Sequence, residues 1–168
     1  ERMIEADSPE DVLKILAESG EYSSSISEIA GAHDYEKMLE AERRKLKELL
    51  EKISPRLEIT DIFFYKYDIH NLKVLLKAHF LERDYDEFLT ATAPTDPALL
   101  KKALTDGDYR EIAPYLGRAI TEALASTEER VDPQRLEVAL EREMYAEIIE
   151  VCKREKQAEC LDYFRAEI

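Results

Sequence analysis

The chain of 168 residues has no tryptophan, only 4 glycines and 6 prolines, 2 cysteines, and far fewer bases than acids. So few chain-breakers exclude the turn-rich pattern of a β-sandwich, and 45% hydrophobic residues exclude a disordered tail. The shortage of bases, 24 Lys and Arg against 38 Asp and Glu, leaves a formal charge of −14. Such a surface repels phosphate backbones, because nucleic-acid affinity depends on Lys and Arg displacing counterions. It equally disfavours anionic lipid headgroups. No apolar run approaches the roughly 20 residues of a bilayer-spanning helix. The densest, Ile62-Phe63-Phe64-Tyr65, is bounded by Asp61 and Lys66. No signal-peptide pattern is present, and the opening Glu1-Arg2-Met3 predicts a trimmed or excised piece. Cys152 and Cys160 stand eight apart in a helical pattern, about 12 Å along a helix, beyond disulfide reach unless the helix breaks between them. Reduced thiols in a cytosolic setting are the simpler expectation.

What is present is one helix signal after another. Ser8-Pro9-Glu10-Asp11 combines a Ser N-cap, Pro at N1 and two first-turn acids, and Gly20 is placed as a C′ residue. Tyr22 to Ala30 reads as a serine-rich turn with a short helix around Ile26 and Ile29. Tyr35, Met38, Leu39, Leu46, Leu49, Leu50 and Ile53 then follow at spacings of three, four and seven, up to the stop at Pro55. That seam predicts packing along another long helix, and a second long candidate from about Glu58 to His79 suggests an αα-hairpin. Asp84 to Leu89 predicts a turn or two of helix. Thr92 to Pro97, with two prolines, reads as the best linker in the chain. Asp96-Pro97, Pro114 and Asp132-Pro133 open further helices, the last with Leu136, Leu140, Met144, Ile148 and Val151 on one face; Cys160 to Phe164 is a final segment. No segment alternates as a strand does. The expected fold is all-α, an antiparallel helical bundle or array.

The two halves also rhyme. Leu39-Glu40 opens a charged amphipathic run leading to Phe63-Phe64-Tyr65-Lys66-Tyr67-Asp68, and Leu136-Glu137 opens one leading to Tyr163-Phe164-Arg165-Ala166-Glu167-Ile168. The offset is about 97 residues at the start and about 99 to 101 at the end. The reading is one and a half helical repeats, the first over 1–90 and a second, truncated one over 91–168.

Catalytic patterns are not found. Gly20, Gly31, Gly107 and Gly117 are isolated, so no phosphate-cradling loop exists. His33, His70 and His79 have no metal-ligand spacing, nor do the cysteines, and they read as surface or satisfied side chains. Ser23-Ser24-Ser25 lacks a nucleophile context. Arg43, Arg44, Lys45 and Lys47 are interleaved with acids and read as a solvated face. No catalytic residue, metal, cofactor or small-molecule substrate is expected.

The unusual segment is Tyr65 to Ala78. Asp68 and Asn71 share a helical face flanked by Ile69, Leu72, Leu75 and Leu76. Polar groups in such company cap a turn, bridge neighbouring helices or contact a partner, because burial without a hydrogen bond is costly. The motif set is Tyr67, Asp68, Asn71, Leu72 and Lys73.

Residues 68–78, Asp-Ile-His-Asn-Leu-Lys-Val-Leu-Leu-Lys-Ala, resemble the most recognisable stretch of the C subunit of bacterial and archaeal V/A-type ATPases, whose eukaryotic V-ATPase equivalent is the d subunit. The family's pattern is an aromatic or apolar residue, then Asp-x-x-Asn-Leu-Lys and an apolar-basic helix, recurring in degenerate form in three helical repeats. Tyr163 to Ile168 looks like the lead-in to the next copy. The resemblance implies a chain of about half the family's length and a non-catalytic part of a rotary motor. That part would sit on the cytoplasmic end of the membrane rotor ring, receive the central shaft of subunits D and F, and pass torque between ATP chemistry and proton or sodium movement. Without that match, a helical-repeat adaptor binding a peptide or partner helix is the alternative.

Overall fold

A computed structural model describes residues 2–125 and 132–167, and every regular element among them is helical. The all-α expectation therefore holds. Ile168, the last residue of the second lead-in, lies outside the described residues. Two compact units are present, Glu1–Ile53 and Ser54–Ile168.

In the first unit, α1 (Pro9–Glu18) starts where its caps predict. The Ser8 hydroxyl accepts from the Asp11 amide at 3.2 Å, and Gly20 supplies a left-handed φ of 77° after the last turn. The short α2 (Ser23–Ile26) buries Ser25, whose hydroxyl donates to Glu42. Lys45 donates to both groups, so the serine-rich turn is tied to the next helix by a small ionic knot. A 3₁₀ turn at Ala32–Asp34 leads into α3 (Tyr35–Ile53), 19 residues long. In the basic run on α3, Arg43 and Lys45 are half-exposed and paired within the helix with Glu40 and Glu42, both at 2.9 Å, whereas the Lys47 side chain, expected on a solvated face, is largely buried.

Within its own unit, the apolar seam on α3 has no second long helix to pack along, contrary to what its heptad spacing predicted. Tyr35, Leu39, Leu46, Leu49 and Ile53 are 42–65% exposed, and only Met38 and Ala41 of this helix are buried. The second long helix belongs to the other compact unit, 54–168. Periodicity reports that a face is apolar, not what lies on it.

The second unit comprises α4 (Leu57–Asp61), α5 (Tyr65–Leu81), a 3₁₀ turn at Asp86–Phe88, α6 (Pro97–Asp106), α7 (Pro114–Ala125), α8 (Pro133–Arg154) and α9 (Ala158–Glu167). The single helix expected over 58–79 is broken at 62–64. There the Phe63 and Phe64 amides donate to Thr60 and Asp61 at 3.3 and 2.8 Å, three residues back instead of four. In a straight helix Ile62 and Phe64 would point about 160° apart. The break lets both be buried. Asp96 and Asp132 cap α6 and α8 by accepting from the amides two residues on, at 2.8 and 3.0 Å, and Gly107 closes α6 with φ 66°. Helices α5, α7 and α8 supply most of the core, with Leu72, Leu76, Leu116, Ile120 and Leu140 fully buried beside Leu100 of α6. The predicted face of α8 is the buried one. Arg118 of α7 ties to Glu143 and Glu147 of α8 at 2.8 and 3.2 Å, and Arg142 pairs with Glu122.

Between α8 and α9 the helix does break. The Gln157 amide donates to the Cys152 carbonyl at 2.8 Å, and Lys156 takes a left-handed φ of 56°. Cys152 and Cys160 are free thiols, and burial pushes the Cys152 thiol up.

Candidate functional site

The Asp-x-x-Asn motif lies near the start of α5, and its two polar side chains point inward. Asp68, Asn71 and Leu72 are fully buried. Asn71 meets the backbone of Thr90 at both ends of its amide: Nδ2 donates to the Thr90 carbonyl and the Thr90 amide donates to Oδ1, each at 2.9 Å. The side chain thereby supplies what a neighbouring peptide unit would supply in a ladder. Asp68 works one helical turn earlier. Its Oδ1 accepts from the Thr95 amide at 3.0 Å, and its Oδ2 accepts from the Tyr115 hydroxyl of α7 at 2.8 Å.

The two residues therefore strap the 90–95 segment to α5. This corrects the reading of 92–97 as a linker. Thr92 is fully buried and Ala93 nearly so, and the segment belongs to the interior of the second unit. The segment runs through turns and bends that form no ladder of their own, and side chains of α5 satisfy the Thr90 amide and carbonyl and the Thr95 amide.

Electrostatics follow from burial. The Tyr115 hydroxyl titrates far above its ordinary range, chiefly because the ring is desolvated and secondly because the Asp68 charge and hydrogen bond favour the neutral phenol. Tyr65 stacks on Tyr115 with ring centroids 4.7 Å apart. Burial, followed by the charges of Glu147, Asp61 and Asp68, pushes its phenol up to about 12. The protonated phenol of Tyr115 is thus a permanent donor to Asp68 at neutral pH.

The rest of the motif is divided between core and surface. Leu72 enters the core, and Lys73 reaches α8, 2.8 Å from Glu141 and 3.6 Å from Glu137. Tyr67 is half-buried beside the Phe64 ring at 6.1 Å, with the Lys66 ammonium 5.2 Å above its own ring. His70, on the exposed side of α5, has Nε2 2.8 Å from the Phe88 carbonyl. His33 lies beside Asp34, and His79 beside Phe80. Among the described residues, no group of three or more His, Cys, Asp or Glu is placed to hold a metal ion, and no helix is long and apolar enough to cross a membrane.

Sequence reasoning found Asp68 and Asn71 but missed their partners Thr90, Thr95 and Tyr115. The threonine-rich Thr90-Ala91-Thr92-Ala93-Pro94-Thr95 was a usable signal, since small and hydroxyl-bearing side chains suit an interior turn whose polar groups find partners close by. Tyr115 carried no such signal, standing amid the apolar face of α7.

The polar lock staples backbone inside a helical core through hydrogen bonds within the protein. The chain belongs to the ATP synthase (C/AC39) subunit family, whose match covers residues 1–168. It is 31% identical over 142 residues, 84% of its length, to the C subunit of the V-type sodium ATPase of Enterococcus hirae. The match covers 43% of that relative, so the chain spans less than half of its length. No solved structure matches the chain.

Proposed function

We propose that this protein is a non-catalytic central-rotor subunit of a V/A-type rotary ATPase. In that reading it is a socket between the central shaft, subunits D and F, and the membrane rotor ring. It passes torque between ATP hydrolysis or synthesis and proton or sodium transport, peripherally on the cytoplasmic face. The observation that carries the reading is the family match over all of 1–168. Two physical features support it. A torque-bearing spacer needs stiffness, which long helices with few glycines supply, and a charge of −14 favours docking on protein over anionic lipid.

Within that reading Asp68 and Asn71 are positioning residues that hold α5, α7 and the 90–95 segment in register. Tyr67 and Lys73 lie nearer the surface, with Lys73 tying α5 to Glu137 and Glu141 of α8. The repeats proposed over 1–90 and 91–168 would then be successive copies of one helical element. The alternative, a helical-repeat adaptor, has in its favour the apolar seam of α3, which finds no second long helix within its own unit.

The test is purification of the tagged protein, expressed from its own gene, from detergent-solubilised membranes. Recovery of shaft and ring subunits in fixed ratio is expected, and their absence would overturn the assignment. Deleting the gene should uncouple ATP turnover from ion transport.

A further inference from the structure

The turn between α8 and α9 brings the chain's two thiols to the same level of one hairpin. Lys156 takes the left-handed position after α8, and the Gln157 amide donates back to the Cys152 carbonyl at 2.8 Å, the bond that closes a helix and turns the chain. The Gln157 carbonyl then accepts from the Leu161 amide at 3.0 Å and opens α9, which packs back on α8. Positions equally far from Lys156 face one another in such a hairpin. Ile148 and Phe164, eight residues before and after it, are both buried in the core of this unit. Tyr145 and Glu167 stand eleven before and after, and burial, then the Glu167 charge, pushes the Tyr145 phenol up. Cys152 and Cys160 are four before and four after, on the same face of each helix as those pairs. After burial, the next cause that raises the Cys152 thiol is the charge of Cys160. Helices packed about 8–10 Å apart, with Cα atoms about 2.3 Å off each axis, bring facing Cα atoms to about 5.4 Å at the wider spacing. A disulfide spans about 4.4–6.8 Å.

We infer that Cys152 and Cys160 are a reversible dithiol–disulfide couple, which a low-molecular-weight disulfide oxidises to a bond stapling α9 to α8. Cys160 is half-buried and Cys152 is 1% exposed, which sets the order of events. The Cys160 thiolate attacks one sulfur of the small disulfide and expels the other half as a thiolate. Cys152 then gives up its proton and attacks Sγ of Cys160 in the mixed disulfide, forming the internal bond and expelling the second half. The protein loses two electrons and two protons, and the small disulfide gains them as two thiols. Excess small thiol runs the sequence backwards. Both cysteines belong to one hairpin, so failure of the inference leaves the rotor assignment standing, and failure of that assignment leaves the couple standing.

The full chain is equilibrated with oxidised and reduced glutathione in varied ratio, quenched with acid, alkylated and weighed by mass spectrometry. A monomer lighter by two hydrogens is expected, with one peptide pair joined through Cys152 and Cys160, and reduced glutathione should restore both thiols. Cys152→Ser should accumulate one glutathione on Cys160, because the resolving thiol is gone. Cys160→Ser, folded by circular dichroism, should take up glutathione at Cys152 roughly ten-fold or more slowly than the same variant in urea, because the thiol is buried. The inference would be overturned by a native chain that keeps glutathione on Cys160 without closing the bond, that closes it only in urea, that links two chains instead, or that stays reduced in a large excess of oxidised glutathione. Uptake by folded Cys160→Ser as fast as by Cys152→Ser would overturn the order of attack.

Discussion

The two units are built from similar helices and hold together by different means. In 54–168, α5, α7 and α8 bury whole side chains around a hydrogen-bonded polar lock. In 1–53, α1 buries none and α3 buries two, while caps, the Ser25–Glu42–Lys45 knot and intrahelical ion pairs make up the rest. Good local signals are enough to form helices, whereas burial decides which of them are fixed in place. Exposed ion pairs contribute about 0–1 kcal/mol each, against about 2–5 kcal/mol for one buried Leu truncated to Ala.

A graded response to substitution is expected. Asn71→Ala strands the Thr90 amide and carbonyl in the core and leaves a small void, and should destabilise the second unit by about 3 kcal/mol, read as a lowered urea midpoint. If the loss were below about 1 kcal/mol, the lock would not be what distinguishes this unit. Ser25→Ala should cost about 1 kcal/mol, because Glu42 and Lys45 keep each other when the hydroxyl goes. The alkaline limb of stability separates the units next. Tyr65 has its folded pKa raised to about 12 from 10.0, so the folded state retains a proton the unfolded state gives up. Its contribution is complete below about pH 10 and fades as pH rises towards 12. Tyr65→Phe should flatten that decline in unfolding titrations between about pH 10 and 12. On the acid side, Asp11 and Glu42 of the first unit are held low, Asp11 first by its hydrogen bond from Lys14 and Glu42 first by that from Ser25. Their contribution is present above about pH 4.5 and is lost as pH falls through the lowered values. Smallest of all, Leu46→Glu should change stability by less than about 0.5 kcal/mol, since the side chain is already half in water. A larger loss would show that the seam is part of the unit's own core.

The fold was legible where the cause is local. Ser8-Pro9, Asp96-Pro97, Pro114 and Asp132-Pro133 start helices because caps and Pro at N1 act within one turn, and Gly20 and Gly107 end them because left-handed backbone suits glycine. The motif was legible for a related reason: two polar residues three apart amid leucines share a buried face wherever the helix packs. The break at 62–64 was not, because it serves two side chains that must both reach a core assembled from distant helices. The 92–97 segment misled for the same cause, its prolines describing backbone shape and not depth.

The all-α class, most helix ends, the buried face of α8 and the family could all be read from the linear chain, since these rest on neighbours a few positions apart or on one compact motif. Four features emerged from the packed molecule instead: Asp68 closes on Tyr115, Asn71 closes on Thr90, the proline-bearing strap is interior, and the α3 seam finds no second long helix within its own unit. Hydrogen bonds spanning 19 and 47 positions, and the covering of an apolar face, depend on which surfaces meet in space, and a linear pattern carries no record of that.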